Sequence, residues 1–342
     1  MKKLMLVFLA AMCLLFASCG DDREVVRVYN WGDYIAPGVI DQFEEEENIR
    51  VIYEMFEMNE DMYTKVKNSN NAYDVLIPSD YMIERMIDED LLAPIDFANI
   101  TNYSAIDDAY KNLSFDPENK FSVPYTWGTV GILYNKTMVS EPIDSWGALW
   151  DPKYEKNIIM MNSQRDAIGV ALKYLGYSLN TLEESALSAA KQKLIDQCPL
   201  VLTWVVDEVK DKMIGGEAAL ALVYAGDAVY CKSYNEDLEY VIPKEGSNIF
   251  FDSMCIPANC QNKAAAEKFI NFMCRPDIAA KNAEYIGYSS PSTLARELMG
   301  EAGQNPTAYP DVTKYDLEIF SSLGDKTKIY DELWTEIKAS MG

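Results

Sequence analysis

The run Val28-Tyr29-Asn30-Trp31-Gly32-Asp33-Tyr34 decides how the rest of the chain is interpreted. It completes an apolar, strand-like stretch at residues 25–29, and a helical pattern begins shortly after it at Pro37. A strand that ends in a short loop before a helix places the loop at the carboxyl edge of a sheet, where open α/β folds hold ligands. Aromatic faces attract cations and an Asp pairs with them. We therefore expect this loop to form one wall of a cleft for a small organic cation.

The N-terminus has the pattern of a secretory signal. Two lysines precede an apolar run at residues 4–17, which leads through a small residue to Cys19. A basic start, a short apolar core and small residues before a cleavage point are typical of export, and such a run is short for a membrane anchor. Its end resembles a bacterial lipoprotein box, although Phe16 replaces the usual Leu. We predict that residues 1–18 are removed and that Cys19 is lipidated; an ordinary signal peptide is the alternative.

Charge and composition limit the possible function classes. The formal net charge is −24 at pH 7, which argues against nucleic acid or anionic lipid as a partner and is compatible with a cationic ligand. The chain contains no His, which excludes Ser-His and Cys-His catalysis and the common zinc sites. We expect no cofactor and no metal. At about 150 residues per domain, the chain is long enough for two domains.

The cysteines predict little covalent cross-linking. Two of the seven lie within the first 19 residues, and the other five form an odd set. At least one thiol of an exported chain must then be free or paired between chains. Cys255 and Cys260 lie close together in an apolar stretch. We expect them to be small core residues, and a disulfide between them is the alternative.

Strand and helix patterns alternate along the first ninety residues. Residues 50–53 alternate like a strand, Asn59–Asn68 has the spacing of a helix, and residues 75–78 form a short apolar strand. That strand ends at Ser79-Asp80-Tyr81, and a further helical pattern follows at 82–88. This β-α-β-α-β order requires a parallel sheet with right-handed crossovers. The loops after the first and third strands should therefore emerge at the same edge.

Later segments continue the pattern. We interpret two long β-rich runs, at 123–135 and 249–257, as crossings between two lobes. The first contains Gly128 and Gly131, which suit a strand that bends or lies close to other backbone. The last helix, at 326–340, should bury one face. That face consists of Ile329, Leu333, Trp334 and Ile337.

Acids and aromatic rings recur at the predicted ends of strands and crossings. Any one ring could be core packing, and any one Asp could cap a helix or lie in a solvated loop. The hypothesis of a single binding site depends on their joint placement at positions that converge in an α/β cleft. The candidate site residues are Trp31, Asp33, Tyr34, Ser79, Tyr81, Asp166, Tyr224, Asp227, Phe250, Asp252 and Tyr288.

Six short sequence segments, spread along the chain, are informative when they are taken together. They are YNWGDY (29–34), YDVLIPS (73–79), VPYTWG (123–128), DSMCIPAN (252–259), KFINFMCRP (268–276) and IGYSSP (286–291). In this order they resemble the spermidine/putrescine-binding receptors of bacterial ABC importers. The resemblance covers nearly all of the chain from Tyr29 to the last helix.

The resemblance implies an α/β architecture, the type II periplasmic-binding-protein fold. In this fold two lobes, each a mostly parallel sheet flanked by helices, are joined by crossing strands. Lobe 1 would comprise residues 24–128 plus about 255–305. Lobe 2 would comprise residues 129–254 plus about 306–342.

The resemblance also implies the function. The protein would capture putrescine and/or spermidine between the lobes and deliver it to the membrane permease subunits of an ABC importer. It would not be an enzyme, would bind no nucleic acid, and would act as a monomer in the periplasm or another extracytoplasmic space, lipid-anchored to a membrane. The aromatic loop would wall the ligand, and the returning crossing would supply the ammonium-binding Asp252. The acid three residues beyond Ser163 would be Asp166.

Several positions depart from the family pattern. Ser163 stands where such receptors have a second acid, Tyr224 and Phe250 stand where they have Trp, and Phe320 stands where they have Gln. Asp227, which follows Ala-Gly, is similar to the putrescine-preferring type. The preferred polyamine is therefore left open.

Three other functions remain as alternatives. A saccharide-binding or glycoside-cleaving protein would use the same rings and carboxylates. A receptor of the same fold could bind ferric iron or a different amine. Iron sites of this kind favour clusters of Tyr, and the sequence contains no adjacent Tyr pair. A lipoprotein that senses polyamines without transporting them would have the same cleft.

Overall fold

The computed structural model describes residues 21–69 and 73–341. The predictions of a cleaved signal at 1–18 and of lipidation at Cys19 lie outside the described residues. None of the helices in the described part combines the length and the apolar character needed to cross a bilayer.

The described residues form ten strands and eleven helices, with short 3₁₀ turns between them. The strands are β1 (Glu24–Trp31), β2 (Ile49–Phe56), β3 (Val75–Leu76), β4 (Ser122–Asn135), β5 (Ile158–Met161), β6 (Val201–Val205), β7 (Leu220–Tyr224), β8 (Leu238–Val241), β9 (Ser247–Cys255) and β10 (Leu317–Glu318). The helices are α1 (Val39–Glu47), α2 (Asn59–Asn68), α3 (Asp80–Asp88), α4 (Gln164–Tyr174), α5 (Glu184–Gln197), α6 (Val209–Ile214), α7 (Ala225–Tyr234), α8 (Lys263–Met273), α9 (Pro276–Ile286), α10 (Thr293–Leu298) and α11 (Thr327–Lys338).

The first three strands form the parallel unit that the sequence predicts. β1 lies between β2 and β3 and is parallel to both. The connecting helices bury apolar residues at helical spacing, such as Val39 and Phe43 in α1 and Met82 and Met86 in α3. This spacing places the apolar residues on the face that covers the sheet. The loops after β1 and β3 therefore leave the sheet at the same edge.

β4 and β9 cross between the two halves of the molecule and pair with each other antiparallel. Toward one half β9 pairs with β3, and toward the other half β4 pairs with β7 and β8. The complete order is β2-β1-β3-β9-β4-β7-β5-β6. β4 and β9 are buried along nearly their whole length, as expected for strands covered on both faces. The predicted crossings are thus present.

The predicted buried face of the last helix is partly wrong. Trp334 and Ile337 of α11 are buried, but Ile329 is 38% exposed and Tyr330 is fully buried in its place. Tyr330, Trp334 and Ile337 are spaced four and three residues apart, which aligns them on one side of a helix. This side packs into the core of the half that contains β4 to β7.

Other segments differ from the sequence prediction in their type. Asp227, which the sequence places at the end of a predicted strand, lies in the first turn of α7, which follows β7 directly. α5 and β6 were not predicted. Single-sequence patterns are weakest for such segments, because α5 alternates small and polar residues and β6 is only half-buried.

All five cysteines of the described residues are free thiols, so the alternative of a Cys255–Cys260 disulfide is wrong. Cys255 is fully buried, as expected for a core residue. Cys260 is half-buried, and its Sγ lies 3.2 Å from Asp74 Oδ1.

Candidate functional site

Asp252 is the centre of the candidate site. Its side chain comes from β9, is 2% exposed, and accepts hydrogen bonds from the Tyr34 hydroxyl to Oδ2 (2.6 Å) and from Ser79 Oγ to Oδ1 (2.7 Å). Tyr34 lies in the loop after β1, and Ser79 follows β3. Since these strands are parallel and β9 pairs with β3, the two loops meet at Asp252. Burial raises the pKa of Asp252 to about 6.

Asp166 forms a second acidic position on the other side of the crossing strands. It lies in the first turn of α4 and is 7% exposed. Its Oδ2 accepts hydrogen bonds from Ser163 Oγ (2.5 Å) and from the Tyr224 hydroxyl (2.8 Å) at the end of β7. Burial raises the pKa of Asp166, and these two hydrogen bonds oppose the rise.

A continuous row of rings connects the two acids. The Tyr34 and Tyr288 centroids are 5.7 Å apart, those of Tyr288 and Phe250 are 5.4 Å apart, and those of Phe250 and Tyr224 are 5.3 Å apart. Interplanar angles of 74–76° make every contact edge-to-face, which is a favoured geometry for aromatic pairs. Because Tyr34 binds Asp252 and Tyr224 binds Asp166, each end of the row carries a carboxylate.

Two glycines allow the rings to occupy these places. A Cβ at Gly226 would lie 2.0 Å from the Tyr288 ring, and one at Gly128 would lie 2.6 Å from the Phe250 ring. The expected approach of other backbone occurs at Gly131, where a Cβ would lie 2.5 Å from the Val241 carbonyl oxygen, whereas the neighbour of Gly128 is a side-chain ring. Gly226 was not singled out by the sequence analysis.

Trp31 lies at the edge of this row. Its ring centroid is 6.3 Å from that of Tyr34 and 4.5 Å from that of Phe56. Trp31 Nε1 is buried and has no hydrogen-bond partner among the described residues. It is a donor that an added water or ligand could satisfy.

Asp33 and Tyr81 lie apart from the acids and rings. Asp33 is exposed and has a positive φ of 51°. The Tyr81 hydroxyl is hydrogen-bonded to Glu60 (3.0 Å) and Asn59 (3.1 Å), and its ring packs edge-to-face on Phe320. Tyr81 is the second residue of α3, and its hydroxyl lies against Asn59 and Glu60 of α2.

Asp227 lies beside the row of rings. Its carboxylate is 4.0 Å from Lys210 Nζ. The pKa of Tyr288 is raised mainly by burial and next by the negative charge of Asp227. Burial raises the pKa of Asp227 to about 6, against the opposing effect of Lys210. Asp227 thus acts on the row through charge and makes no hydrogen bond to it among the described residues.

Two residues of this region were not predicted as part of the site. The Tyr125 hydroxyl donates to the Tyr34 carbonyl, and its ring lies 6.1 Å from that of Tyr34. Asp80 is fully buried next to Ser79. Tyr125 lies in one of the six runs quoted above, so that run carried a usable signal. Asp80 looked like an ordinary helix-start residue.

Two small cavities lie near candidate residues. One is lined by Asp166, Lys173 and Phe320, among others, and the other by Tyr81 and Arg165, among others. No group of three or more His, Cys, Asp or Glu within residues 21–69 and 73–341 is placed to hold a metal ion. The arrangement is instead suited to a ligand with separated positive charges and an apolar middle.

Comparisons with known proteins all match this chain to the same family. Residues 38–312 match the profile of the bacterial extracellular solute-binding proteins. A spermidine/putrescine-binding periplasmic protein of Salmonella typhimurium is 37% identical over 99% of both chains. A putrescine-binding periplasmic protein of Pseudomonas aeruginosa is 31% identical over 93% of both chains.

Solved structures agree with these sequence matches. A putative spermidine/putrescine ABC transporter protein of Listeria monocytogenes has a TM-score of 0.89 at 43% identity, over 92% of this chain and 99% of that one. A spermidine/putrescine ABC transporter substrate-binding protein of Streptococcus pneumoniae has a TM-score of 0.81 at 43% identity, over 93% and 100%. The predicted type II periplasmic-binding-protein fold is confirmed. Together, the profile, the full-length relatives and the fold show that this chain belongs to the bacterial extracellular solute-binding proteins.

Proposed function

We propose that this protein is an extracytoplasmic receptor that captures putrescine and/or spermidine and delivers it to the permease subunits of an ABC importer. The observation that carries the proposal is the row of four rings with a buried carboxylate at each end, Asp252 and Asp166. The relatives named above, whose own names refer to spermidine and putrescine, support the same ligand class.

The physical chemistry of the ligand fits this arrangement. A polyamine is a chain of methylene groups with ammonium groups at fixed spacing. A carboxylate about 4 Å from an ammonium gains roughly 4 kcal/mol of Coulomb energy in a partly dry cleft, before desolvation is subtracted. A cation–π contact gains about 0.5–2 kcal/mol. The acids should therefore dominate the affinity, and the rings should select shape and length.

The roles divide accordingly. Asp252 and Asp166 would each bind an ammonium, and Ser79 would orient Asp252. Asp33 and Asp227 would add negative charge beside the cleft, and Tyr81 would line the neighbouring cavity that also contains Arg165. The rings that cover the methylenes would be Trp31, Tyr34, Tyr224, Phe250 and Tyr288.

The proposal includes closure of two lobes on the ligand. Lobe 1 comprises residues 24–128 plus about 255–305, and lobe 2 comprises 129–254 plus about 306–342. The pairing of β4 and β9 supports this division, since they are the two long strands that connect both halves. Ligand that contacts both lobes favours the closed state and shifts the population toward it. Docking on the permease would then depend on closure, and no catalysis is needed.

The remaining parts of the proposal concern location and assembly. Cleavage before Cys19 and its lipidation would anchor the receptor to a membrane from the extracytoplasmic side, and the receptor would act as a monomer. The relatives named for the periplasm support export. Mass spectrometry of the mature N-terminus tests the anchor, and an unmodified thiol at Cys19 would contradict it.

The alternatives gain no support. The relatives and structures reported above are named for polyamines, which gives a saccharide-binding or glycoside-cleaving function nothing to rest on. The sequence contains no adjacent Tyr pair of the kind that would favour ferric iron. A polyamine sensor would share the cleft and is distinguished only by a transport assay.

A thermal-shift panel tests the ligand class. Putrescine, cadaverine, spermidine and spermine are the candidate ligands, with maltose and Fe³⁺ as controls. A ligand at 100 times its Kd stabilises the folded chain by about 2.7 kcal/mol, so at least one polyamine should raise Tm by several degrees while maltose leaves it unchanged. A shift with maltose or Fe³⁺ and none with any amine would overturn the proposal.

A further inference from the structure

Asp80 is a buried acid that the proposed ligand contacts do not use. Its side chain is fully buried, and within the described residues it forms no ion pair at salt-bridge distance. Both carboxylate oxygens accept backbone hydrogen bonds instead, Oδ1 from the N–H of Tyr81 (2.7 Å) and Oδ2 from the N–H of Phe251 (3.0 Å). A buried carboxylate without a cation is costly, so its location calls for a functional reason.

Asp80 closes a short antiparallel ladder against β9. The Ser253 N–H donates to the Pro78 carbonyl (3.1 Å), and Ser79 forms a β-bridge with Asp252. The third rung is the Phe251 N–H, which donates to the Asp80 side chain. Three consecutive residues thus hold three consecutive residues of β9, with Asp252 at the centre.

The third rung needs a side chain because the backbone turns away. α3 begins at Asp80, with Ser79 as its N-cap, so the chain leaves the extended conformation there. The Asp80 carboxylate takes the place of the missing backbone acceptor. It therefore fixes the residue before Asp252 on the same loop that supplies the hydroxyl of Ser79.

We propose that Asp80 is a positioning residue of the cation site, which holds Asp252 in register with Ser79 and places a second negative charge behind it. The inference rests on the proposed polyamine-binding function. Asp80 sets the orientation of the Asp252 carboxylate without touching the ligand. Its charge couples to the ionisation of Asp252, so Asp80 also sets the pH range in which the site binds a cation.

The groups around Asp80 agree with this coupling. Asp252 and the guanidinium of Arg165, from the other side of the cleft, are the charged groups that face it, and Tyr81 adjoins it in the chain. Burial and then the Asp252 charge raise the pKa of Asp80, whereas Arg165 and the two backbone donors lower it. The Asp252 charge thus opposes the ionisation of Asp80, and an ammonium that binds nearby relieves this repulsion.

The test compares Asp80→Asn with Asp116→Asn in the full chain. Asp116 is a matched control, because it is 3% exposed, accepts the backbone N–H groups of Lys120, Phe121 and Ser122, and lies outside the site. Putrescine affinity is measured by calorimetry between pH 5 and 8. Asp80→Asn should weaken binding about tenfold at pH 7.5 and shift the acidic midpoint of the affinity profile to lower pH. Asp116→Asn should change neither.

The outcomes separate the possible roles of Asp80. If Asp80→Asn only lowers Tm, as Asp116→Asn does, and keeps the wild-type affinity and midpoint, Asp80 is merely structural and the inference is overturned. Should Asp80→Asn fail to fold, Asp80→Ser, which keeps an oxygen acceptor without charge, carries the same expectations. Failure of the wild-type protein to bind any polyamine would overturn the proposed function itself.

Discussion

Asp252 and Asp166 each accept hydrogen bonds from one Ser and one Tyr, yet the two positions are constructed differently. The partners of Asp252 lie 218 and 173 residues away and bind different carboxylate oxygens. The Ser163 partner of Asp166 is three residues away, and both of its hydrogen bonds go to Oδ2. The Asp252 end is held by neighbouring strands of one sheet. The Asp166 end is held by a helix start and by Tyr224 at the end of β7.

From this difference we predict which end binds the ligand first and which end contributes only after the lobes close. We expect the Asp252 end to be preformed, because Tyr34 and Ser79 follow neighbouring parallel strands of the sheet to which β9 is hydrogen-bonded. The Asp166 end lines a small cavity and lies at the start of α4, on the other side of the crossing strands. It should therefore contribute to binding only once the lobes have closed.

Asp252→Asn should have the largest effect. The substitution removes the charge but keeps the shape, and a hydrogen bond to a charged group is worth about 1.5–3 kcal/mol. Calorimetry should show putrescine affinity at least about tenfold weaker. Asp166→Asn should be milder in affinity and should instead reduce closure, which small-angle scattering with ligand measures.

The matched control is Asp311→Asn, a surface acid that caps a short turn far from both ends. It should leave affinity and closure at wild-type values. Equal losses in Asp252→Asn and Asp166→Asn would remove the distinction between the ends. An unchanged affinity in Asp252→Asn would mean that the site is misplaced.

Acidic pH should weaken binding almost as strongly. The pKa of Asp252 and that of Asp227 are both raised to about 6 by burial, and only the ionised acid attracts an ammonium. Below pH 6 the affinity should fall by up to about tenfold per pH unit for each proton released on binding. Calorimetry in buffers of different ionisation enthalpy counts those protons, and a pH-independent affinity between 5 and 7.5 would contradict the assignment.

The ligand-free protein should respond in the opposite direction. A carboxyl whose folded-state pKa lies above its ordinary 3.8 binds its proton more tightly when folded. Its contribution to stability is complete below pH 4 and is lost as the pH rises through about 6. For Asp252 the difference is about 3 kcal/mol at 1.36 kcal/mol per pKa unit. Asp252→Asn should flatten this part of the urea-unfolding profile, and the same slope in wild type and variant would exclude Asp252 as its source.

Gly226→Ala tests the row of rings between the ends. Its Cβ would lie 2.0 Å from the Tyr288 ring, so Tyr288 must move out of the row. We expect putrescine affinity to fall several-fold to about tenfold, on the scale of one lost cation–π contact. Gly215→Ala is the control, because Gly215 ends a helix at an ordinary φ of −72°. Equal affinities of the two variants would show that Tyr288 does not contribute.

The smallest effects should come from the two Tyr hydroxyls. Tyr34→Phe removes a 2.6 Å hydrogen bond to Asp252, and Tyr224→Phe removes a 2.8 Å hydrogen bond to Asp166, while both keep the ring. One such bond is worth about 0.5–1.5 kcal/mol net. Calorimetry should show a loss of a few-fold for Tyr34→Phe and less for Tyr224→Phe. The reverse order would contradict a preformed Asp252 end.

The features that the sequence predicted correctly depend mostly on local patterns. The parallel unit of β1, β2 and β3 was predictable, because alternating and helical apolar spacing is local and strong there. The meeting of the loops at Tyr34 and Ser79 then followed from parallel connectivity. Phe250 and Tyr288 were proposed from their places at predicted crossing and turn positions, and the family resemblance supported them, since nothing local distinguishes their rings from core residues.

Two candidate residues lie outside the cluster of acids and rings. Asp33 and Tyr81 adjoin residues of the cluster, and chain proximity suggested that they would share it. Asp33 is exposed, and Tyr81, the second residue of α3, is hydrogen-bonded to Asn59 and Glu60. Asp80 was overlooked for the opposite reason, because its partner Phe251 is 171 residues away.

The amino-acid sequence by itself determined the α/β class, the order of the first strands, the absence of His chemistry and the residue types of a cation site. These properties depend on composition and on apolar spacing over a few turns or strands. Only the tertiary structure decided which acids are buried, which hydroxyls hold them and which rings form the row. Hydrogen bonds and burial depend on residues brought together from distant parts of the chain, and local sequence patterns do not predict these contacts.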